Sequence, residues 1–418
     1  MSLPDVHDRV SASPEVRFSP ARHTINIVAS FLVMASAGSV YAWSIFVEPL
    51  REGYGYTTAE TQLVFGLIIA CFSIMMLFVG RIERHLGLKL TTIIGAVLFA
   101  AGYLIASISG GKLWIIIAGI SVLSGAGMAF GYVTVLANLV KWYPRHKGLA
   151  TGLAVAGFGS GAILLSQTVQ PFIDRGINIL EMFRYIGIGY GILYLLCALL
   201  IRRAPGGNGA GNEPPLPLSK LLRSRSFYVL TITFFAGSFS GLMLIGNLKP
   251  LALSYGAEAA TVSMAIVIVS LGNASGRVIW GYIFDHIGGM RCVTVALSCL
   301  AVLMLFLPVA LPASVPFVIL CLFIGLFFGA NFVIYASDVS HIYGVEQVGF
   351  IYPFVSLGYG VSGIAAPIAG GIIYDVSGSY FPAIILSSVV CLAGMVLYAV
   401  SMRKSSPALP STVSEDDA

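Results

Sequence analysis

Charge is scarce in this 418-residue chain: Asp, Glu, Lys and Arg together make up 10% of it, against about 25% in an average soluble domain. Water therefore cannot be the solvent for most of its surface. That excludes a soluble enzyme, a nucleic-acid-binding protein and a disordered chain. The net charge of +5 is small, and the basic residues are dispersed rather than gathered into a footprint for DNA or RNA. No CxxC occurs among the six cysteines (Cys71, Cys197, Cys292, Cys299, Cys321, Cys391). None stands at metal-ligand spacing from a histidine, so they read as small apolar residues in helices. The polar first 23 residues lack an apolar h-region and a small-residue cleavage site, and read as a tail rather than a removable signal.

What is abundant is apolar length. Hydrophobic residues make up 57% of the chain, and a membrane span needs about 20 of them in a row. Twelve such runs can be read, at 24–47, 59–79, 90–109, 113–139, 148–171, 183–201, 227–249, 260–283, 293–311, 316–337, 348–373 and 381–402. An even number puts both termini on one side, and the basic residues choose which. With the N-terminus inside, seventeen of the 23 Lys and Arg fall in inside segments. Five fall outside or at the outer span ends (Arg51, Lys112, Arg175, Arg184, Lys249), and Arg277 alone lies in the middle of a span. The expectation is an all-α membrane protein of twelve helices, N-in and C-in, multi-pass in a plasma or bacterial inner membrane.

The longest break, 202–226, contains GGNGAGNEPPLPL with basic residues at both ends. It reads as a cytoplasmic linker between a six-span half at 24–201 and another at 227–402, with tails at 1–23 and 403–418. The halves echo each other: GRIERHLG at Gly80–Gly87 returns as GYIFDHIG at Gly281–Gly288. Glycines let two helix ends approach closely there, and Asp285 can cap or pair. Its counterpart is Arg84, which is assigned no gating role. Two six-span repeats joined by such a linker resemble the major facilitator architecture.

Ionisable side chains at membrane depth are functional by default. By this reading all 18 Asp and Glu, and all six His, fall in loops, tails or span ends. Arg277 remains. It lies eight residues before Asp285, about 12 Å in from the helix end. A guanidinium stays protonated and prefers a bidentate anion. With no acidic side chain at its depth, the simplest anion is the carboxylate of a substrate. Asn273, one turn earlier on the same face, can orient it. Further pocket candidates are Tyr41, Tyr132, Phe158, Asn331, Tyr335 and Tyr359, with Asn138 the weakest. Runs of glycine in span five (Gly148, Gly152, Gly157, Gly159, Gly161) and span eleven (Gly358, Gly360, Gly363, Gly370, Gly371) suggest helices that shift against close neighbours.

WYPRHKGLATGLAVAGFGSG, from Trp142 to Gly161, resembles the fifth-helix signature of monocarboxylate transporters. GSVYAWSIFVEPL (Gly38–Leu50) and GAGMAFGYVTVLANLVKWYP in span four resemble oxalate:formate antiporters and their bacterial relatives. The resemblance implies that Arg277 binds the substrate carboxylate and that Tyr41, Tyr132 and Phe158 line the site. It also implies a secondary transporter. With no His, Asp or Glu at membrane depth to supply a nucleophile–base pair or metal cluster, no enzyme, cofactor or metal is expected, and a monomer is expected as the working unit. Two departures narrow the substrate. The antiporter's second base, a lysine of helix eleven, has no counterpart in VGFIYPFVSLGYGVSGIAAPIAGG, so a dicarboxylate would bring an uncompensated charge. Animal monocarboxylate transporters carry an aspartate where Asn273 stands and a lysine in helix one, where the stretch around Val40 is apolar. The expected function is transport of small monocarboxylates, lactate- or pyruvate-like, with a proton carried by the substrate. The alternative is organic-anion exchange.

Overall fold

The computed structural model describes residues 20–142, 147–204, 216–344 and 347–403. The N-terminal tail up to residue 19, residues 143–146, most of the linker, residues 345–346 and the C-terminal tail lie outside the described residues. Within them the chain is helical, without a strand. Among the described residues, nine helices are long and apolar enough to cross a membrane.

The first half starts with α1 (Pro20–Gly38), which begins ahead of the predicted span, and continues through a 3₁₀ turn (Ser39–Ala42) into α2 (Ser44–Tyr54). Then comes α3 (Thr58–Ser107), whose start is fixed by a capping box: Thr57 Oγ1 accepts from Glu60 N–H, and Glu60 accepts from Thr57 N–H. A short α4 (Leu113–Ile116) and a π-helical stretch (Ile117–Ser124) lead into α5 (Gly125–Trp142). α6 (Lys147–Ile173) and α7 (Ile179–Leu200) complete the half. In the second half a single turn, α8 (Leu218–Leu221), precedes α9 (Arg225–Ser254), α10 (Ala259–Ala310) and α11 (Ser314–Tyr343). A break at Ser356 divides α12 (Val348–Val355) from α13 (Leu357–Ser377), and α14 (Phe381–Arg403) ends the bundle.

At 50 and 52 residues, α3 and α10 are too long for one crossing. A straight helix of that length would run about 75 Å, more than twice a hydrocarbon core. Each is broken by one glycine: Gly87 with φ 77°, ψ 163°, and Gly288 with φ 73°, ψ 167°. That backbone is essentially restricted to glycine. These are the last glycines of the two repeated turns, and they explain why the motif ends as it does.

Large apolar side chains face outward around the bundle, including Val97 (55% exposed), Ile192 (53%) and Val389 (56%). In water such a belt would be unfavourable; against lipid tails it is neutral. Sequence hydropathy closes span ten at 337, yet α11 runs on to Tyr343. Asp338, grouped above with the loop and span-end carboxylates, therefore sits inside a helix. It is buried, and its carboxylate accepts a short hydrogen bond from the Tyr398 hydroxyl of α14. A partnered carboxylate can continue a buried helix; only an unpartnered one would end it.

Candidate functional site

Helix α10 carries Gly272 and Gly276, and α11 carries Gly325 and Gly329. A methyl group added at Gly276 would stand 2.1 Å from the carbonyl oxygen of Leu326, and one at Gly325 2.1 Å from that of Val269. The two backbones therefore touch, as small-xxx-small spacing allows. This contact brings Phe332 of α11 over the guanidinium of Arg277, with Cζ 4.2 Å from the ring centroid. Phe158 of α6 flanks the same group at 5.6 Å.

Arg277 is completely buried. Its Nε donates to Asn273 Oδ1 (3.1 Å), one turn back on α10, and its Nη1 donates to the carbonyl of Val155 (3.1 Å) in α6. Its Nη2 has no hydrogen-bond partner among the described residues, and no carboxylate pairs with the charge there. Hydrogen bonds to a charged group contribute about 1.5–3 kcal/mol each. Burial of an ion without a counter-ion still costs several kcal/mol. The group is held on two sides, with the Tyr41 hydroxyl close by and Nη2 left without a hydrogen-bond partner among the described residues.

The walls are aromatic and come from both halves. The end of α1 at Gly38, where the helix presses against the Phe158 backbone, sets Tyr41 in the 3₁₀ turn. Tyr41 meets Phe158 and Phe328 edge to face at 5.4 and 5.8 Å, and its hydroxyl lies 3.0 Å from that of Tyr359 in α13. Tyr132 packs on Phe158 at 5.3 Å and on Phe72 at 5.4 Å. Tyr359 packs on Phe332 at 5.0 Å. The charge of Arg277 reaches the hydroxyls of Tyr41, Tyr132, Tyr352 and Tyr359. Each of these rings is at most 7% exposed, so the box is shut off from bulk water.

Five of the candidates read from the sequence, Asn273, Tyr41, Tyr132, Phe158 and Tyr359, thus gather with Arg277. Asn331 and Tyr335 stand apart. The Tyr335 ring stacks on Phe234 at 4.8 Å, and Asn331 Oδ1 faces Gly237 of α9. No hydrogen bond or ring contact joins either to Arg277 among the described residues. Their own Tyr335 hydroxyl and Asn331 Nδ2 lack a described partner. Asn138 is engaged elsewhere. Its amide grips the backbone after α7, donating to the Arg202 carbonyl (2.9 Å) and accepting from Ala204 N–H (3.1 Å). Sequence reasoning missed Phe72, Phe328, Phe332, Tyr352 and the Val155 carbonyl. For Phe332 a signal existed in the Gly325/Gly329 spacing of α11; a backbone carbonyl leaves none.

The halves meet through small residues. Gly159 of α6 lies against Ala274 of α10, while Gly360 and Gly363 of α13 lie against Ser73 and Ile69 of α3. At the end of the bundle opposite Gly87 and Gly288, Gln62 Nε2 donates to the Gly246 carbonyl (2.8 Å) and Ala59 N–H to Asp375 (3.1 Å). Both bonds cross between the halves and close that end above the box.

The family profile of the Major Facilitator Superfamily matches residues 27–352, well over half of the chain. The chain belongs to this superfamily. An uncharacterised MFS-type transporter of Escherichia coli (strain K12), YhjX, is 25% identical over 348 residues, 81% of this chain and 85% of that protein. The oxalate:formate antiporter of Oxalobacter formigenes is 26% identical over 344 residues, covering 78% and 79%. Monocarboxylate transporter 11 of Homo sapiens is 22% identical over 389 residues, covering 87% and 79%. This facilitator is accordingly a multi-pass membrane transporter and not an enzyme.

Proposed function

We propose that this facilitator is a secondary active transporter of small monocarboxylates, lactate- or pyruvate-like, with Arg277 receiving the carboxylate. The observation that carries the proposal is the buried guanidinium whose Nη2 is unpaired while Nε and Nη1 are fixed. Two of its positions are tied down, so the remaining edge presents donors to one anionic group. Phe332, Phe158 and Tyr41 set apolar ring faces rather than a second charge beside the guanidinium, which suits a short, largely apolar anion. The substrate classes named in the relatives, a monocarboxylate and oxalate with formate, support a small organic anion.

The topology we infer has twelve spans. The breaks at Gly87 and Gly288 divide α3 and α10 into two crossings each, and α6 adds one beyond the nine apolar helices. The excess of basic residues in alternate loops supports N-in and C-in, with the 202–226 linker cytoplasmic, in a plasma or inner membrane. One chain contributes every residue of the box, which supports a monomer as the working unit. Alternating access would open the Gln62–Gly246 and Ala59–Asp375 closures at one end while the glycine-lined α3–α13 and α6–α10 contacts slide.

The proton travels with the substrate in this reading. Among the described residues no carboxylate or imidazole touches the Arg277 box, and buried Asp338 is already committed to Tyr398. Uptake of labelled lactate into proteoliposomes tests the proposal. An inward proton gradient is expected to accelerate uptake, and Asp285→Asn or Asp375→Asn should leave that acceleration in place. Lactate uptake that requires internal lactate and ignores the gradient would favour the organic-anion exchanger, which the antiporter relative supports. No lactate flux under any condition would overturn the substrate class.

A further inference from the structure

A second cationic site lies away from Arg277, on the flank of the first half. A cavity of about 450 Å³ opens between the Gly87 break of α3 and the chain leaving α7. Lys89, Arg202 and Arg203 line it together with Leu86, Leu199 and Ile201, and its lining contains no acidic residue. Lys89 and Arg202 are exposed and form no ion pair among the described residues.

The site is built, not incidental. Three side chains hold the backbone that carries the two arginines. Arg202 N–H donates to Asn26 Oδ1 (3.0 Å), and the Arg202 carbonyl accepts from both Asn138 Nδ2 and Trp142 Nε1 (2.9 Å each). Ala204 N–H donates to Asn138 Oδ1. These bonds stop α7 and turn the chain into an extended course at Ile201. Arg202 and Arg203 therefore stand at the helix end instead of trailing into the linker. The helix break at Gly87, with its positive φ, stands two residues before Lys89 in the same lining. Lys89 and Arg202, two like charges on one cavity with no ion pair among the described residues, repel each other unless an anion joins them.

The surroundings identify that anion. Leu86 (44% exposed), Leu90 (47%), Leu199 (46%) and Leu200 (52%) form an apolar rim continuous with the outward-facing belt. A soluble phosphate would use the cations and ignore the rim. A phospholipid would use both, with its phosphate among Lys89, Arg202 and Arg203 and its acyl chains on the leucines. Basic pockets between spans at the cytoplasmic face suit such headgroups. We propose that this cavity binds an anionic phospholipid.

Native mass spectrometry of the full-length protein in detergent, titrated with phosphatidylglycerol, tests this. Wild-type protein is expected to retain phosphatidylglycerol well above an equal concentration of phosphatidylcholine. Each neutralised cation should weaken retention by on the order of 5-fold, so the triple variant Lys89→Gln/Arg202→Gln/Arg203→Gln should approach the phosphatidylcholine level. Lys89→Gln alone lies outside the backbone clamp and keeps the test valid if the triple variant fails to fold. Lys112→Gln, on the opposite side, should change nothing. Equal retention of the two lipids, or wild-type retention by Lys89→Gln and the triple variant, would overturn the proposal. Displacement of phosphatidylglycerol by an equal concentration of sn-glycerol 3-phosphate would also overturn it, by moving the site to soluble phosphates.

Discussion

Gly87 in the first half and Gly288 in the second break their long helices with nearly identical backbone angles. Counted back by the same interval, Arg277 corresponds to Met76, which is buried in α3. At the ends of the fourth and tenth spans, Asn138 clamps the backbone beyond α7, and Asp338 holds the Tyr398 hydroxyl of α14. Both halves thus tie the same pair of helices together, one with a neutral amide and one with a carboxylate. The repeat conserves where helices break and meet. The chemistry is divided: the second half supplies the cation and Asn273, while the first supplies Tyr41, Phe72, Tyr132 and Phe158. A site assembled this way comes apart when the halves separate, which is what alternating access requires.

The comparison can be broken by force at its steepest point. Gly276→Leu drives a side chain into the α11 backbone, where even a methyl would stand 2.1 Å from the Leu326 carbonyl oxygen. Overpacking of ordinary cores already costs about 1–3 kcal/mol. Here the obstacle is main chain, so loss of monodisperse protein on size exclusion is expected. Met76→Leu in the first half, a volume-conserving change, should cost less than about 1.5 kcal/mol and leave transport intact. Next in size, Arg277→Lys keeps the charge and loses the fork held by Asn273 and Val155. One to two charged hydrogen bonds at about 1.5–3 kcal/mol each predict a fall in lactate affinity of roughly 100-fold. Lactate-concentration dependence of uptake reads it, and unchanged affinity would sink the site assignment.

The paired clamps sharpen the comparison at smaller scale. Tyr398→Phe leaves the buried Asp338 carboxylate without its donor and should destabilise by about 1–3 kcal/mol. Asn138→Leu should cost less, because Trp142 still serves the Arg202 carbonyl. Thermal unfolding ranks the two; a larger loss for Asn138→Leu would contradict the ranking. Smallest is the bridge across the halves. Tyr41→Phe and Tyr359→Phe each remove one end of a single neutral hydrogen bond, about 0.5–1.5 kcal/mol. The double variant should lose little more than either single one, since the two hydroxyls serve each other.

Much of the molecule is legible from its residues alone. Arg277 stands out as a lone charge in the middle of an apolar run, and Asn273 follows from helical spacing. The membrane class follows from composition, and the repeated turns are visible at Gly80–Gly87 and Gly281–Gly288. The partners of Arg277 are harder. Phe332, Phe328 and Phe72 look like any other core aromatic, and the Val155 carbonyl carries no residue signature at all. On α11 the polar pair Asn331 and Tyr335 draws attention one residue away from Phe332, which meets the cation. Asp338 is misplaced by hydropathy because hydropathy scores a side chain without its partner, and the partner, Tyr398, lies 60 residues further along the chain in α14.

Calorimetric binding of lactate, its neutral amide lactamide and oxalate to the purified wild-type protein tests the central claim most directly. If the free edge of Arg277 receives one carboxylate in an aromatic box, lactate binds, lactamide binds at least about 100-fold more weakly, and oxalate fails to compete. Equal binding of lactate and lactamide, or oxalate as the tightest of the three, would contradict the account.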